Sequence, residues 1–192
     1  MGGQRMRIVG GRFRGRQIKA LEGTITRPTS DRVREATFSR LEALVGSIDG
    51  MTALDAFAGT GALGLEALSR GALSATFAER DRGALRVLRD NISSLGMTEM
   101  THVLAADALS VLARDALPGA PFSLLFLDPP YRIDESEVSA LVGELARRNG
   151  LSDGAVVVWE HAAETKVDLG PAFEDLGSKV YGSTHVSWYR LI

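Results

Sequence analysis

Short apolar runs alternate with segments of helical apolar spacing over most of the chain, from about residue 51 onwards. The apolar runs predict five strands, over residues 52–57, 75–79, 102–107, 122–127 and 155–160. The segments between them predict helices over residues 62–70, 82–95, 109–116 and 135–149. Repeated strand–helix units favour a parallel sheet with helices on both faces, because right-handed crossovers place the helices there. The pattern therefore predicts an α/β fold.

The two ends of the chain follow other patterns. Their predicted elements are short strands over residues 7–9 and 15–21, a helix over 32–44, and a β-hairpin over 179–182 and 185–192. Thr29 or Ser30 can cap the helix, and the hairpin adds an antiparallel strand to the sheet. We therefore expect residues 1–50 to form an N-terminal extension and residues 51–192 to form the core.

Length and composition exclude several classes of protein. With 192 residues and no cysteine, the chain suits one compact domain without a disulfide, a thiolate metal site or a cysteine nucleophile. His102, His161 and His185 lie far apart in sequence, so we expect no metal. The basic start lacks the apolar segment of a secretory signal, and no apolar run approaches the ~18 residues of a membrane helix. We expect a cytoplasmic protein without a membrane partner.

The net charge of −2 hides an uneven distribution. Residues 1–40 carry ten Lys or Arg and three Asp or Glu, whereas the rest of the chain is net acidic. A basic segment rich in Arg and Gly suits a nucleic-acid backbone, although a solvated surface is the alternative. The candidate phosphate contacts are Arg12, Arg14, Arg16, Arg27, Arg32 and Arg34.

A glycine-rich segment follows the first core strand and precedes a helix. It contains Gly59-x-Gly61-x-x-Gly64, and glycines there let the backbone turn tightly and approach a ligand. Glu79 ends the next strand, where a carboxylate can accept both hydroxyls of a ribose. This arrangement predicts a nucleoside cofactor, although enzymes that bind NAD share the glycine pattern. The candidate cofactor contacts are Asp55, Phe57, Ala58, Gly59, Thr60, Gly61, Glu79, Arg80, Asp107 and Ala108.

Asp107 ends the third predicted strand and has two possible roles. Its carboxylate can accept a hydrogen bond from an adenine amine, or it can cap the short helix that begins at Ala108. The sequence leaves both roles open.

The most informative segment is Asp128-Pro129-Pro130-Tyr131, which follows the most hydrophobic strand. The prolines fix the backbone, so the Asp128 carboxylate and the Pro129 carbonyl present two acceptors in preset directions. Two converging acceptors match an amino group, which offers two donors, and the Tyr131 ring can stack on a planar base. We therefore predict that these four residues form the catalytic site for an exocyclic amine.

Together, Asp-x-Phe-Ala-Gly-Thr-Gly and Asp-Pro-Pro-Tyr resemble the class I S-adenosylmethionine methyltransferases that modify amino nitrogens. The runs RIVGGRFRGR, which starts at Arg7, and RPTSDRVREATF, which starts at Arg27, resemble the RsmD family more narrowly. That family comprises bacterial 16S ribosomal RNA (guanine-N2)-methyltransferases. Ser39-Arg40 departs from it, since members more often carry Asn and an apolar residue there.

The resemblance carries several expectations. It implies a Rossmann-like, mainly parallel seven-stranded sheet with a C-terminal antiparallel hairpin. It implies S-adenosylmethionine as cofactor, without a metal. It also implies transfer of a methyl group to a guanine N2 of 16S ribosomal RNA in the small ribosomal subunit. Separately, we expect the enzyme to be a monomer.

Other functions explain parts of the pattern. A DNA or other RNA amino-methyltransferase acting on adenine N6 shares the Asp-Pro-Pro-Tyr chemistry, but a DNA enzyme usually needs a separate recognition region. Release-factor glutamine methyltransferases typically carry Asn in place of Asp128. An NAD-dependent dehydrogenase leaves Asp128 and Tyr131 without a role, and a non-enzymatic RNA-binding module explains the basic segment alone.

Overall fold

The computed structural model describes residues 6–21, 31–130, 132–162, 167–182 and 184–192. Its strands are β1 (Met6–Arg7), β2 (Gln17–Ile18), β3 (Thr52–Asp55), β4 (Ser74–Glu79), β5 (Thr101–Ala105), β6 (Phe122–Leu127), β7 (Leu151–Ala162), β8 (Phe173–Tyr181) and β9 (Thr184–Leu191). Its helices are α1 (Asp31–Val45), α2 (Ala62–Ser69), α3 (Arg82–Leu95), α4 (Ala108–Leu112) and α5 (Glu135–Arg147). Among these residues, no helix has the length and apolar character needed to cross a bilayer.

Seven of the strands form one sheet in the order β5-β4-β3-β6-β7-β9-β8. The first five are parallel, and β9 pairs antiparallel with β7 on one side and β8 on the other. The predicted α/β fold with a C-terminal antiparallel hairpin is confirmed. Since β3 and β6 lead to opposite halves of the sheet, their carboxyl ends flank the switch point at which such sheets bind ligands.

Side chains alternate between two apolar layers along the central strands. Ala53 of β3, Phe126 of β6 and Val158 of β7 belong to the layer that α1, α2 and α3 cover. Their strand neighbours belong to the layer that α4 and α5 cover. Successive side chains point to opposite faces of a sheet. Asp55, Asp128 and Glu160, each two positions after one of the three residues named above, therefore lie on the face of α1 to α3.

The N-terminal extension packs on the core without a layer of its own. Met6, Ile8 and Ile18 belong to the apolar cluster beneath α1 to α3. The buried Glu66 of α2 accepts a hydrogen bond from the Val9 backbone amide at 2.8 Å. The extension is therefore joined to the core by both apolar burial and a buried hydrogen bond.

Helix α1 runs with its amino end towards the carboxyl edge of the sheet. Near its last turn, the Leu44 carbonyl accepts a hydrogen bond from Arg190 at 3.2 Å, and Arg190 pairs with Val156 in the middle of β7. Six residues earlier in α1, Phe38 packs on Phe126 near the end of β6, with ring centroids 5.5 Å apart. At 1.5 Å per residue, the first turn of α1 lies about 10 Å further on, beside that edge.

Candidate active site

The glycines after β3 have separate structural roles. Gly59 and Gly61 adopt φ angles of 52° and 82°, in the left-handed region that other residues rarely adopt. A Cβ added at Gly59 would meet no atom within 4 Å, whereas one at Gly64 would lie 2.4 Å from the Phe77 ring. Gly64 is thus needed for the packing of α2 on the sheet, and Gly59 borders open space that a ligand can enter.

Glu79 lies beside that open space. One carboxylate oxygen accepts a hydrogen bond from the Gly59 amide at 2.8 Å, and the other accepts from the amides of Arg80 and Asp81 at 2.8 and 2.7 Å. These bonds fix the carboxylate against the glycine loop and use three of its roughly four acceptor positions, which leaves one on the oxygen that faces Gly59. The position therefore fits contact with one ribose hydroxyl, whereas the sequence analysis expected the carboxylate to accept both.

Asp107 caps helix α4 and pairs with a neighbouring strand end. Its Oδ1 accepts a hydrogen bond from the Leu109 amide at 3.1 Å, and its Oδ2 lies 2.7 Å from a guanidinium nitrogen of Arg80. The structure thus contains the capping role that the sequence left open, and contact with adenine stays a prediction. The Arg80 pair joins the carboxyl ends of β4 and β5.

The remaining candidate cofactor residues surround the same loop. Ala58 donates a backbone hydrogen bond to the Ala78 carbonyl at 3.0 Å. Phe57 is half-buried against the layer of α4 and α5, and Ala108 is the buried first residue of α4. The loop is consequently fixed from below by β4 and from the side by the second apolar layer.

Asp55 lies beneath the loop, not in it. The residue is 2% exposed, and its Oδ2 accepts a hydrogen bond from the Gly64 amide at 3.0 Å. Burial raises the pKa of Asp55 to about 7, the Gly64 hydrogen bond opposes this shift, and the charge of Glu79 adds to it. Asp55 therefore holds the start of α2 and is only partly ionised near neutral pH.

The Asn91 side chain, which the sequence analysis missed, supports the loop from helix α3. Asn91 is buried, and its amide nitrogen donates to the Thr60 carbonyl at 3.0 Å and to the Lys19 carbonyl at 3.1 Å. Its oxygen accepts from the Lys19 amide at 2.7 Å. One side chain thus joins the glycine loop to β2 and its flanking residues. No local pattern indicates this role, because the three partners are far apart in sequence.

Asp128 follows β6 at the switch point. The residue keeps access to solvent at the edge of the sheet. Loss of hydration of the carboxylate and, next, repulsion from Glu160 and Asp55 raise its pKa well above the ordinary value.

The prolines after Asp128 lead from β6 towards α5. The Pro130 carbonyl accepts a hydrogen bond from the Ile133 amide at 2.9 Å, two residues before α5 begins. Pro129 is half-buried and Pro130 exposed, and Tyr131 lies outside the described residues. Asp128 and the two prolines therefore stand at the mouth of the site, one strand away from the glycine loop.

Three of the predicted phosphate contacts lie in the turn between β1 and β2. Arg12, Arg14 and Arg16 are exposed, and the Arg12 guanidinium stacks 4.7 Å from the centroid of the Phe13 ring. Arg16 donates to the Ser94 carbonyl at 2.6 Å, so its charge is partly engaged by the protein. Arg32 is exposed in the first turn of α1, and Arg27 lies outside the described residues.

The prediction that Arg34 contacts RNA is wrong. Its side chain is completely buried, where it contacts the Arg7 carbonyl, Asp31 at 2.9 Å and Glu66 at 3.7 Å. A cation in this position balances the buried carboxylate of Glu66 and joins α1 to α2 and β1. The sequence showed the charge but not that the helix face carrying it turns inwards.

The described residues contain no group of three or more His, Asp or Glu side chains that could hold a metal ion. His161 and His185, distant in sequence, are cross-strand neighbours with ring centroids 4.9 Å apart. His161 contacts the Ser187 hydroxyl at 2.9 Å and the Ala162 carbonyl at 2.9 Å. The two rings therefore pack against each other on the face of the sheet opposite that of Asp128.

Comparison with known proteins identifies the family. The family described as "Conserved hypothetical protein 95" matches residues 6–190. The Bacillus subtilis protein YlbH, provisionally named as an rRNA methyltransferase, is 37% identical over 188 residues, covering 96% of this chain and 98% of that relative. The Escherichia coli (strain K12) ribosomal RNA small subunit methyltransferase D is 37% identical over 171 residues, covering 89% of this chain and 82% of that relative.

A solved structure supports the same assignment. The Escherichia coli protein yhhF, provisionally described as a methyltransferase, superimposes with a TM-score of 0.83 and 35% identity over 98% of both chains. The resemblance that rested on short motifs thus extends over nearly the whole chain and the whole fold. The chain belongs to this family, the RsmD family of class I methyltransferases.

Proposed function

We propose that this protein transfers a methyl group from S-adenosylmethionine to the N2 amine of a guanine in ribosomal RNA of the small subunit. The two relatives named above carry rRNA methyltransferase names, which supports ribosomal RNA as the substrate class. One observation carries the proposal. The open side of Gly59, bordered by Glu79, and the Asp128-Pro129-Pro130 turn lie at neighbouring strand ends across the switch point.

The residues around the loop fit the cofactor. Glu79 has acceptor capacity for one ribose hydroxyl, and the missing side chain of Gly59 leaves room for a ligand against the backbone. Asp107, at the end of β5, offers a carboxylate to the adenine amine in addition to its capping bond. When bound, the cofactor supplies a methyl group on a positively charged sulfur, and its transfer forms a C–N bond as the C–S bond breaks.

Asp128 prepares the amine for this reaction. The guanine N2 lone pair is conjugated with the ring, so the amine is a poor nucleophile. The Asp128 carboxylate and the Pro129 carbonyl accept its two N–H bonds and favour a pyramidal nitrogen whose lone pair points at the methyl group. The proton that the nitrogen loses passes to Asp128, and the raised pKa of that carboxylate makes it a suitable acceptor.

Access to the amine requires an unpaired base. A base inside a stacked helix is out of reach, so the target lies in a loop or is flipped out of its stack. The exposed Arg32 binds the backbone beside the carboxyl edge, and Arg12 and Arg14 bind it further along, next to the last turn of α2. The acidic carboxyl edge receives only the base.

The test is a substrate comparison. The protein is incubated with labelled S-adenosylmethionine and, in parallel, undermethylated small subunits, bare 16S RNA and duplex DNA. We expect label in ribosomal RNA, with N2-methylguanosine as the product on nucleoside analysis and mass mapping of its position. N6-methyladenine as the product, or labelling of DNA alone, would contradict the proposal.

A substitution at Asp128 separates chemistry from binding. We expect Asp128→Ala to lower turnover by about 100-fold or more, since the amine loses an acceptor that matters most in the transition state. Cofactor affinity, measured by calorimetry, should stay within a few fold. Asp128→Asn keeps one acceptor oxygen and should be milder. Asp153→Ala, at an exposed position of β7, is the control; equal turnover in both Ala variants would remove Asp128 from the mechanism.

A further inference from the structure

Glu160 stands beside the residue that we place at the target amine. Leu127 of β6 pairs with Trp159 of β7 in parallel register, so the next residues on each strand, Asp128 and Glu160, are adjacent. Neighbouring strands lie about 4.8 Å apart. The pairing of Glu160 with Val186, which belongs to the layer under α1 to α3, places its side chain on the same face as Asp128.

The Asp128 and Glu160 carboxylates also repel each other. The charge of Glu160 is the largest Coulombic contribution to the raised pKa of Asp128, ahead of that of Asp55. Two adjacent carboxylates repel each other, and a ligand that brings a donor to each of them relieves this repulsion. The pair is therefore matched to a base edge that offers donors at two neighbouring positions.

Only one of the amino-bearing bases has such an edge. Guanine carries N1–H next to its N2 amine, and both positions donate. Adenine carries N1, and cytosine N3, as acceptors next to their amines. An acceptor that faces a carboxylate is repelled and leaves both groups unpaired.

We infer that Glu160 is a specificity-determining residue that accepts the N1–H of guanine while Asp128 accepts the N2 amine. The inference rests on the proposed function, because it assumes that Asp128 binds the target amine. It adds a reason why this site selects guanine over adenine, although both present an amine to an Asp-Pro-Pro turn. The base is read along its Watson–Crick edge, as is usual for a flipped nucleotide.

The experiment replaces the target guanine with a base that lacks O6 and the N1 proton. Once mass mapping has located the methylated guanine, that nucleotide is replaced with 2-aminopurine in ligated 16S RNA. 2-Aminopurine keeps the amine at C2 but has an acceptor at N1. The ratio of kcat/KM for guanine to that for 2-aminopurine is measured for the wild type, Glu160→Gln and the charge-matched control Asp153→Asn.

We expect the wild type and Asp153→Asn to prefer guanine strongly. The Gln side chain can donate to the N1 of 2-aminopurine, so Glu160→Gln should lower the ratio by about tenfold or more. Cofactor affinity should not change. A ratio that is the same in Glu160→Gln and in the wild type would overturn the inference, whereas a substitution that only damages the fold would lower both rates together.

The wild-type protein alone also tests the inference. If it methylates 2-aminopurine as fast as guanine, Glu160 does not read N1–H, whether or not the variant folds. Failure of the proposed function would look different, since the wild type would then leave the guanine of the natural RNA unmethylated.

Discussion

The buried carboxylate of Asp55, at the carboxyl edge of the sheet, makes the stability of the protein depend on pH. Asp55 is buried below the glycine loop with one hydrogen bond from Gly64, and its pKa is about 7. An ordinary Asp in the unfolded chain titrates near 3.9. The unfolded chain therefore loses this proton at lower pH than the folded protein, so the free energy of unfolding falls as the pH rises from about 4 to about 7.

Asp55→Asn tests this linkage. The amide oxygen can still accept from Gly64 but carries no charge, so the variant should be more stable than the wild type above pH 7. The difference should be small at pH 4 and grow to at most about 4 kcal/mol, the equivalent of the pKa shift. Urea unfolding at several pH values measures it. A difference that is independent of pH would show that Asp55 does not titrate in this window.

Glu79 differs from Asp55, because three backbone amides donate hydrogen bonds to its carboxylate. Glu79→Gln keeps one oxygen acceptor and the side-chain length but removes the charge. We expect the affinity for S-adenosylmethionine to fall by about 1–3 kcal/mol, because a ribose hydroxyl loses a charged acceptor. Calorimetry measures it, with Glu99→Gln, an exposed residue away from the loop, as control. Unchanged affinity would remove the ribose contact.

At the scale of elements, local signals explain which parts could be predicted. Helix α3 lies at the predicted bounds because Asp81 caps it through the Ala84 amide at 2.8 Å and Gly96 ends it at a φ of 69°. Strand β8 was predicted only at its end, since most of its residues are exposed and its position depends on pairing with β9. The sequence of β8 lacks the alternation of apolar and polar residues that predicts a half-buried strand, so most of its length could not be predicted.

The site shows the same division. The positions of Gly59, Glu79 and Asp128 could be predicted, because each lies at or after the end of a parallel strand and such ends meet at one edge of the sheet. Their roles in binding and catalysis stay predictions. Asn91 and the burial of Arg34 could not, since their roles depend on contacts between elements distant in sequence. Glu160 lies at the end of a predicted strand, and applying the same rule to that strand would have found it.

The bond network of Asn91 leads to a prediction at this scale. Asn91→Asp keeps the size and the acceptor for the Lys19 amide but loses both donors, to Thr60 and Lys19. Each unpaired buried group costs about 1–3 kcal/mol, so stability should fall by a few kcal/mol. Cofactor affinity should fall with it, since the loop loses its support. Ser93→Ala, exposed on the same helix, is the control. Normal affinity in a folded Asn91→Asp variant would show that the loop does not need this contact.

The whole molecule separates its charges. The first forty residues are strongly basic and the remainder is net acidic, with Asp55, Asp128 and Glu160 towards the site. An acidic site alone would repel a polyanion. The orientation of α1 eases this conflict, because it brings Arg32 beside the carboxyl edge. The tip of the extension lies further away, at the last turn of α2, where the Phe13 amide donates to the Ser69 hydroxyl at 3.0 Å. RNA can thus be held by its phosphates while one base enters the acidic site.

The last prediction tests that division through the salt dependence of binding. Arg12 and Arg14 are exposed at the tip of the extension, whereas Arg16 is engaged by Ser94. Replacing the first two with Gln should weaken binding of ribosomal RNA and reduce its slope against log salt by about 1.4–1.8, since each lost phosphate contact removes about 0.7–0.9. Cofactor affinity should not change.

The matched control for this prediction is the double variant Arg114→Gln and Arg147→Gln, which removes the same charge from exposed positions just after α4 and at the end of α5. If binding depended on net charge alone, both double variants would weaken it equally. If the extension binds the phosphates, only the Arg12 and Arg14 variant should flatten the slope, and Arg16→Gln should add less than either, because that side chain is partly held by the protein. An unchanged slope in the folded Arg12 and Arg14 variant would mean that the RNA contacts lie elsewhere on the molecule.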